Sequence, residues 1–460
     1  MDKVNTNAKF EKFRHEYNEF RYEDFHYTID DQGISMKWDF YIDNFVEFHP
    51  QMDIPKQDFI NFDSISETMT RQLVFHIGMV ELISYWKAIC PRKVVIKPYK
   101  LNAKQVEFWK KIYFHGLGEF FYLNDIEVDI ESFMEIIFSD DLPIIQKETI
   151  NVDESAIIPV GGGKDSVVSL EVLKNSGDNL ALIMNPRGAS TSTANIGGFE
   201  GKTIIINRFL DKKLLELNAQ GFLNGHTPFS ALLAFVSFYS AAITSKKYIA
   251  LSNENSANES TVVGTMINHQ YSKSLEFESD FRKYTNDYLS TDIKYFSLLR
   301  PLSELQIASI FSKNSSYFKD FKSCNVGSKT NSWCGKCSKC LFTYIILSPF
   351  IAPKILEDIF GSNLLDDKDL LVYFKELTGI ADVKPFECVG TVDEVVVALC
   401  SARKYYDSGF PYLMKYFKEN RGFETCETVD EQKLLTEIES QHFLEEKYLD
   451  LLIHKLNGND

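Results

Sequence analysis

Ala156-Ile157-Ile158-Pro159-Val160-Gly161-Gly162-Gly163-Lys164-Asp165-Ser166 is the stretch that decides the fold. Its apolar residues read as a short buried strand and its glycines as a tight loop. A helix beginning near Asp165 and running to Leu173 follows. Strand, tight loop and helix open an α/β unit. Short apolar runs at 180–184, 203–206 and 248–252 alternate with helix-like stretches, which predicts a mostly parallel sheet covered by helices on both faces. Ligands of such sheets bind beyond the strand C-termini.

The same loop carries chemistry. Bare glycines let backbone N–H groups approach an anion, and the helix dipole and the Ser166 hydroxyl add attraction for phosphate. The spacing is neither that of the Walker loop nor GxGxxG. An ordinary turn capped by Asp165 or Ser166 is the plainer alternative, but three glycines followed by Lys-Asp-Ser favour a phosphate cradle formed by Gly161, Gly162, Gly163, Lys164, Asp165 and Ser166.

Upstream, residues 21–48 alternate apolar and polar around Asp30-Asp31-Gln32-Gly33, the pattern of a β-hairpin. Helical stretches at 67–89 and 103–122 flank a short strand at 93–98, so 1–150 reads as an N-terminal α+β module. The α/β domain spans 151–345, and 346–460 reads as a mainly helical C-terminal region. It ends in one predicted helix over 429–456, whose Leu434, Ile438, Leu444, Tyr448 and Leu452 suit packing or a homodimer contact.

Composition narrows the class. Of 460 residues 44% are hydrophobic and 25% charged, which excludes global disorder. A formal charge of -16 argues against a general nucleic-acid partner. The first twenty residues lack the continuous apolar core of a secretory signal, so export is not expected, and the apolar stretch 229–243 is shorter than the roughly 20 residues of a membrane span. A cytoplasmic protein with no membrane association is expected.

Of eight cysteines, Cys324, Cys334, Cys337 and Cys340 are spaced C-x9-C-x2-C-x2-C. A C-x2-C turn presents two thiolates to one tetrahedral ion, so structural Zn²⁺ is expected here, with an iron–sulfur cluster or a redox dithiol as alternatives. Cys90, Cys388, Cys400 and Cys426 are scattered and read as core residues, with an exposed, functional thiol as the alternative for Cys388. Further polar clusters lie between loop and cysteines: Asn224-Gly225-His226, Ser252-Asn253-Glu254, Asn268-His269-Gln270-Tyr271-Ser272-Lys273-Ser274 and Arg300-Pro301-Leu302-Ser303-Glu304. Each alone suits helix capping. Together they suit the acid, base and anion-binding groups that an α/β enzyme collects at strand ends.

The glycine loop resembles the Ser-Gly-Gly-x-Asp-Ser loop of N-type ATP pyrophosphatases (PP-loop proteins), with Gly161 in place of the first Ser. The cysteine run is similar to the zinc site of their deazaguanine-forming members. The whole ensemble, with His115 to Phe120, 360–367 and Lys384-Pro385-Phe386-Glu387-Cys388, resembles the MurL family of bacterial cell-wall synthesis. Those ATP-dependent epimerases invert the terminal L-glutamate of UDP-N-acetylmuramoyl-L-alanyl-L-glutamate.

The resemblance implies a PP-loop fold, ATP and Mg²⁺, an acyl-adenylate, and release of AMP and pyrophosphate. It also implies a UDP-linked muramoyl dipeptide as substrate. His226, Glu254, His269, Tyr271 and Lys273 form the shortlist for proton transfer. Lys164, Lys273 and Arg300 are candidates for anionic groups, and Asn224, Asn253, Asn268 and Glu304 are further substrate-binding candidates. Two alternatives are amidation or thiolation of a nucleobase or other carboxylate through the same adenylate, and a non-catalytic nucleotide-binding scaffold.

Overall fold

The computed structural model describes residues 6–259, 268–381, 383–427 and 429–458. Eleven strands are present among them: β1 (Glu19–Asp30), β2 (Gly33–Ile42), β3 (Val46–Phe48), β4 (Gln51–Pro55), β5 (Lys93–Ile96) and β6 (Glu135–Ile137), followed by β7 (Asp153–Pro159), β8 (Leu180–Met184), β9 (Thr203–Phe209), β10 (Lys246–Leu251) and β11 (Lys294–Ser297). They form one mixed sheet in the order β11-β10-β7-β8-β9-β4-β2-β1-β5-β6, with β3 paired to β2. Helices flank it, as an α/β fold requires.

Two compact units make up the chain. The first comprises Met1–Ile157, Ile204–Ile249 and Tyr271–Tyr295. The expected hairpin is β1 and β2, paired antiparallel from Phe20↔Ile42 to Asp30↔Gly33. Alternation works here because one face is apolar: Tyr22, Phe25, Trp38 and Phe40 are buried. Against this face packs the helix Glu67–Glu81, where the Phe75 ring stacks on Tyr22 at 5.5 Å and Trp38 Nε1 donates to the Val74 carbonyl at 3.0 Å. Each such aromatic burial contributes roughly 1.5–3 kcal/mol. The predicted stretch 67–89 is divided into Glu67–Glu81 and Ile83–Trp86, and 103–122 into Ala103–Gly116 and Gly118–Leu123. The second division falls where Pro228 presses on the backbone, since a Cβ at Gly116 would lie 2.6 Å from Pro228 Cβ. The apolar run forms the buried helix Phe229–Ile243, and no helix among the described residues is long and apolar enough to cross a membrane.

The second unit comprises Ile158–Thr203, Ala250–Gln270 and Phe296–Asp460. Its core joins the helices Glu304–Ser312, Ser338–Leu347 and Val392–Ala402 through Ile307, Phe311, Tyr344 and Val396, all buried. Two expectations are corrected here. The single helix over 429–456 is two helices, Glu431–Thr436 and Glu446–Leu456. From the last turn of the first helix onward the backbone bonds elsewhere: Ser303 Oγ donates to the Leu434 carbonyl at 2.6 Å, Gln306 Nε2 to the Glu437 carbonyl at 3.0 Å, and Glu439 N to the Pro301 carbonyl at 2.9 Å. Those bonds take groups that a continuous helix would use internally. Nor are Cys400 and Cys426 separate core thiols. They form a disulfide that ties the helix Val392–Ala402 to the turn Phe423–Glu427.

Candidate functional site

β7 ends at Pro159 and the helix Lys164–Leu173 begins four residues after Val160, with Gly163 as its N-cap. Glycine offers no side-chain acceptor to the first-turn N–H groups, which is the condition for an anion to satisfy them. Gly162 has φ +90, and a Cβ there would lie 2.6 Å from Ser190 N. Only glycine fits that approach between the loop and the helix Gly188–Ile196. Ser166 is buried; its Oγ accepts from Gly162 N at 3.1 Å and donates to the Gly163 carbonyl at 3.0 Å, so this hydroxyl closes the loop internally.

The segments that follow β7, β10 and β11 come together beside the loop. Leu298 N donates to the Leu251 carbonyl at 2.7 Å, and Asn253 Nδ2 to Ser297 Oγ at 3.1 Å. Arg300 is fully buried and clamps the Glu254 carbonyl at 2.6 Å, which directs its charge into the unit. Lys164 also points inward, its Nζ donating to Asp165 Oδ1 and Glu304 Oε2. Burial opposes the Lys164 charge, but Asp165 and Glu304 outweigh it and hold the amine protonated above the usual ammonium range. Burial pushes Glu304 up to about 8, with Asp165, Glu254 and Glu394 adding to it against Lys164. Asn268 forms a local turn, donating to the Ala257 carbonyl at 2.9 Å and accepting from Gln270 N at 2.7 Å; His269 is half-buried in the same turn.

The first unit holds Asn224, His226, Tyr271 and Lys273. His226 Nδ1 lies 3.7 Å from Glu119 Oε2. The loop 224–228 that carries His226 is fixed by Lys87 Nζ on the Gly225 carbonyl and by Asn124 Nδ2 on the Asn224 carbonyl at 3.2 Å. Asn224 Oδ1 accepts from Gly225 N at 2.9 Å, a turn-forming role. Tyr271 is buried against the His115 ring at 4.9 Å, its hydroxyl has no hydrogen-bond partner among the described residues, and burial raises its pKa well above the phenol range. Lys273 lies in the turn Tyr271–Lys273, directly before the helix Leu275–Tyr288 and its N-cap Ser274.

The four clustered cysteines converge. Sγ separations are 3.9 Å for Cys324–Cys337, 3.7 Å for Cys334–Cys340 and 3.5 Å for Cys337–Cys340. A tetrahedral ion at a metal–sulfur distance of about 2.3 Å has edges of about 3.8 Å, so this set fits one. Gly327 N donates to Cys324 Sγ at 3.1 Å and Lys336 N to Cys334 Sγ at 3.4 Å, the outer-shell bonds that orient thiolates. Lys339 Nζ donates to the Cys388 carbonyl, and Asn325 Nδ2 to Glu387 Oε2 at 2.9 Å, which brings 384–388 beside the cysteines. Cys388 itself is half-buried.

The MurL N-terminal domain family model matches residues 11–298, and the MurL C-terminal domain model matches 318–428. The chain belongs to the MurL family. It is 34% identical over 332 residues to the UDP-N-acetyl-alpha-D-muramoyl-L-alanyl-L-glutamate epimerase of Xanthomonas oryzae pv. oryzae, covering 70% of this chain and 72% of that one. Identity to the enzyme of the same name from Micromonospora sp. is 35% over 344 residues, 73% and 76% of the two chains. For that of Salinispora tropica it is 35% over 324 residues, 69% and 70%. No solved structure matches. In MurL terms the glycine loop and His226 lie in the N-terminal match and the cysteine centre in the C-terminal one. Glu304 falls in the stretch between them.

Two carboxylates escaped the reading of this MurL sequence. Glu119 stands within the quoted run His115 to Phe120 but carries no signal of its own until the fold sets it beside His226. Glu394 accepts from Glu304 N at 2.7 Å, and it had a legible mark, the capping box Thr391-x-x-Glu394.

Proposed function

We propose that this MurL-family chain is an ATP-dependent epimerase, converting the terminal L-glutamate of UDP-N-acetylmuramoyl-L-alanyl-L-glutamate to D-glutamate. Membership of the family and the names of its curated relatives support the substrate. The observation that carries the ATP requirement is the uncapped helix N-terminus behind Gly161 to Gly163, set among the polar residues that follow β7, β10 and β11.

The chemistry explains the need for ATP. Taking the α-proton from a residue with a free carboxylate would place two negative charges side by side. The substrate carboxylate therefore attacks the α-phosphate of ATP and pyrophosphate leaves. The acyl-adenylate now accepts electron density, so a base removes the α-proton and the planar enolate is reprotonated on its other face. Water cleaves the anhydride and AMP departs. The glycine loop binds the β- and γ-phosphates through backbone N–H groups. Bound Mg²⁺ would neutralise the departing pyrophosphate, and Asp165 would hold it. Cys324, Cys334, Cys337 and Cys340 hold a structural Zn²⁺ that stabilises the unit and takes no part in proton transfer.

Among the proton-transfer candidates His226 leads. It is only partly buried, and the Glu119 carboxylate 3.7 Å from its Nδ1 would face the positive charge that it gains on taking a proton. Tyr271, with its raised pKa, is unsuited to act as a base near neutral pH. Glu254 is buried, leaving His269 and Lys273 for the second transfer.

In D₂O, with ATP and Mg²⁺, the product should carry deuterium at the glutamate α-carbon and the D configuration, with AMP and pyrophosphate formed. Omitting ATP should abolish incorporation. AMP formation with glutamate wholly L and undeuterated would remove the epimerase reading, and a product altered at its carboxyl group would favour amidation.

A further inference from the structure

Lys164 is the one cationic side chain within the glycine loop, and it is turned away from solvent. Its side chain is 3% exposed, that of Glu304 is 2% exposed, and that of Asp165 is 26% exposed. The ammonium sits between the two carboxylates. Glu304 is itself fixed from behind, because its backbone N–H donates to Glu394 Oε1 at 2.7 Å while Glu394 Oε2 accepts from Thr391 N at 2.7 Å and Thr391 Oγ1 at 3.0 Å. A file of side chains thus leads from the buried helix Val392–Ala402 through Glu304 and Lys164 to the partly exposed Asp165. To touch a phosphate lying outside the loop, Lys164 would have to leave both carboxyl groups and strand the buried Glu304 without its hydrogen-bond partner. Where it stands, it holds Asp165.

We propose that Lys164, backed by Glu304, is a positioning residue that orients Asp165 toward the divalent cation of a metal–nucleotide and is not itself a phosphate ligand. This rests on the ATP-dependent reading above. It reverses the role that the loop sequence alone gives Lys164.

Calorimetric titration of the full chain separates the two roles. ATP is titrated once in EDTA and once at a series of Mg²⁺ concentrations, into the wild type and into the Lys164→Met/Glu304→Gln pair, which removes the ammonium and its buried carboxyl partner together. Metal-free ATP affinity should stay within about twofold, while the Mg²⁺ concentration giving half the metal-dependent gain should rise about tenfold or more, the usual cost of losing an outer-shell partner. Asp165→Asn should give the same pattern. A loss of about tenfold or more in metal-free ATP affinity, the mark of a missing charged hydrogen bond, would overturn the proposal. So would an unchanged Mg²⁺ requirement. If the paired variant does not fold, Glu304→Asp keeps the carboxyl group and shortens its reach, and the same two readings decide. A wild type that binds ATP under neither condition refutes the ATP-dependent reading itself, a failure distinct from the other two.

Discussion

Replacing Gly162 by Ala tests whether the loop geometry is as tight as described. At φ +90 a residue with a side chain is held in the left-handed region, at a cost of about 1–2 kcal/mol. The new methyl would lie 2.6 Å from Ser190 N and 2.7 Å from the Ala189 carbonyl carbon. Both are backbone atoms of the helix Gly188–Ile196, so no side chain can rotate aside, and overpacking of this kind costs about 1–3 kcal/mol. Together the two effects predict a loss of about 2–5 kcal/mol. At a urea m-value of about 3 kcal/mol/M that lowers the unfolding midpoint by about 1 M. The neighbour supplies the control: a Cβ at Gly161 meets no atom within 4 Å, so Gly161→Ala should stay within about 0.5 kcal/mol of wild type. Gly161→Ser should fold equally well and add a hydroxyl at the loop mouth, tightening ATP binding about fivefold. Urea titrations followed by tryptophan fluorescence read all three variants. Equal midpoints for Gly162→Ala and Gly161→Ala would refute the reasoning, because the two positions differ in surroundings and backbone but not in the atom added.

Cys337→Ser should lower soluble yield and abolish the stoichiometric metal, since its Sγ is an edge partner of both Cys324 and Cys340; elemental analysis finding iron in place of zinc, or a well-folded metal-free protein, would contradict the assignment. Glu304 predicts a pH dependence of stability: its folded pKa is raised to about 8 by burial, so the proton it keeps stabilises the folded state fully below about 4.5, and that contribution is lost as pH rises through 8. The urea midpoint of the wild type relative to Glu304→Gln should therefore fall between pH 5.5 and 8.5, and a constant difference would show that the carboxyl is ionised throughout.

The loop, its strand and its helix were legible because their determinants are local. Glycines, a β-branched run and a helix start lie within eighteen residues of one another, and the helix begins one residue before the expected Asp165. The convergence of the four cysteines was legible for the same reason, three of them lying within seven residues of chain. What could not be read depends on partners distant in sequence. The helix expected over 429–456 breaks because Pro301, Ser303 and Gln306 bond its middle, and nothing within 429–456 reveals them. The same limit governs charge. Lys164 in a glycine loop reads as a phosphate ligand when its neighbours are only those in sequence, but Glu304, 140 positions away, takes the ammonium inward. Residue type specifies which ions are available and the fold specifies which of them face one another. For Lys164, His226 and Arg300 the partner identified by the fold is a carboxylate or a carbonyl of the chain itself. Their roles in the proposed reaction therefore have to be argued from that partner outward, with Asp165 and Glu119 as the carboxylates through which Lys164 and His226 would act.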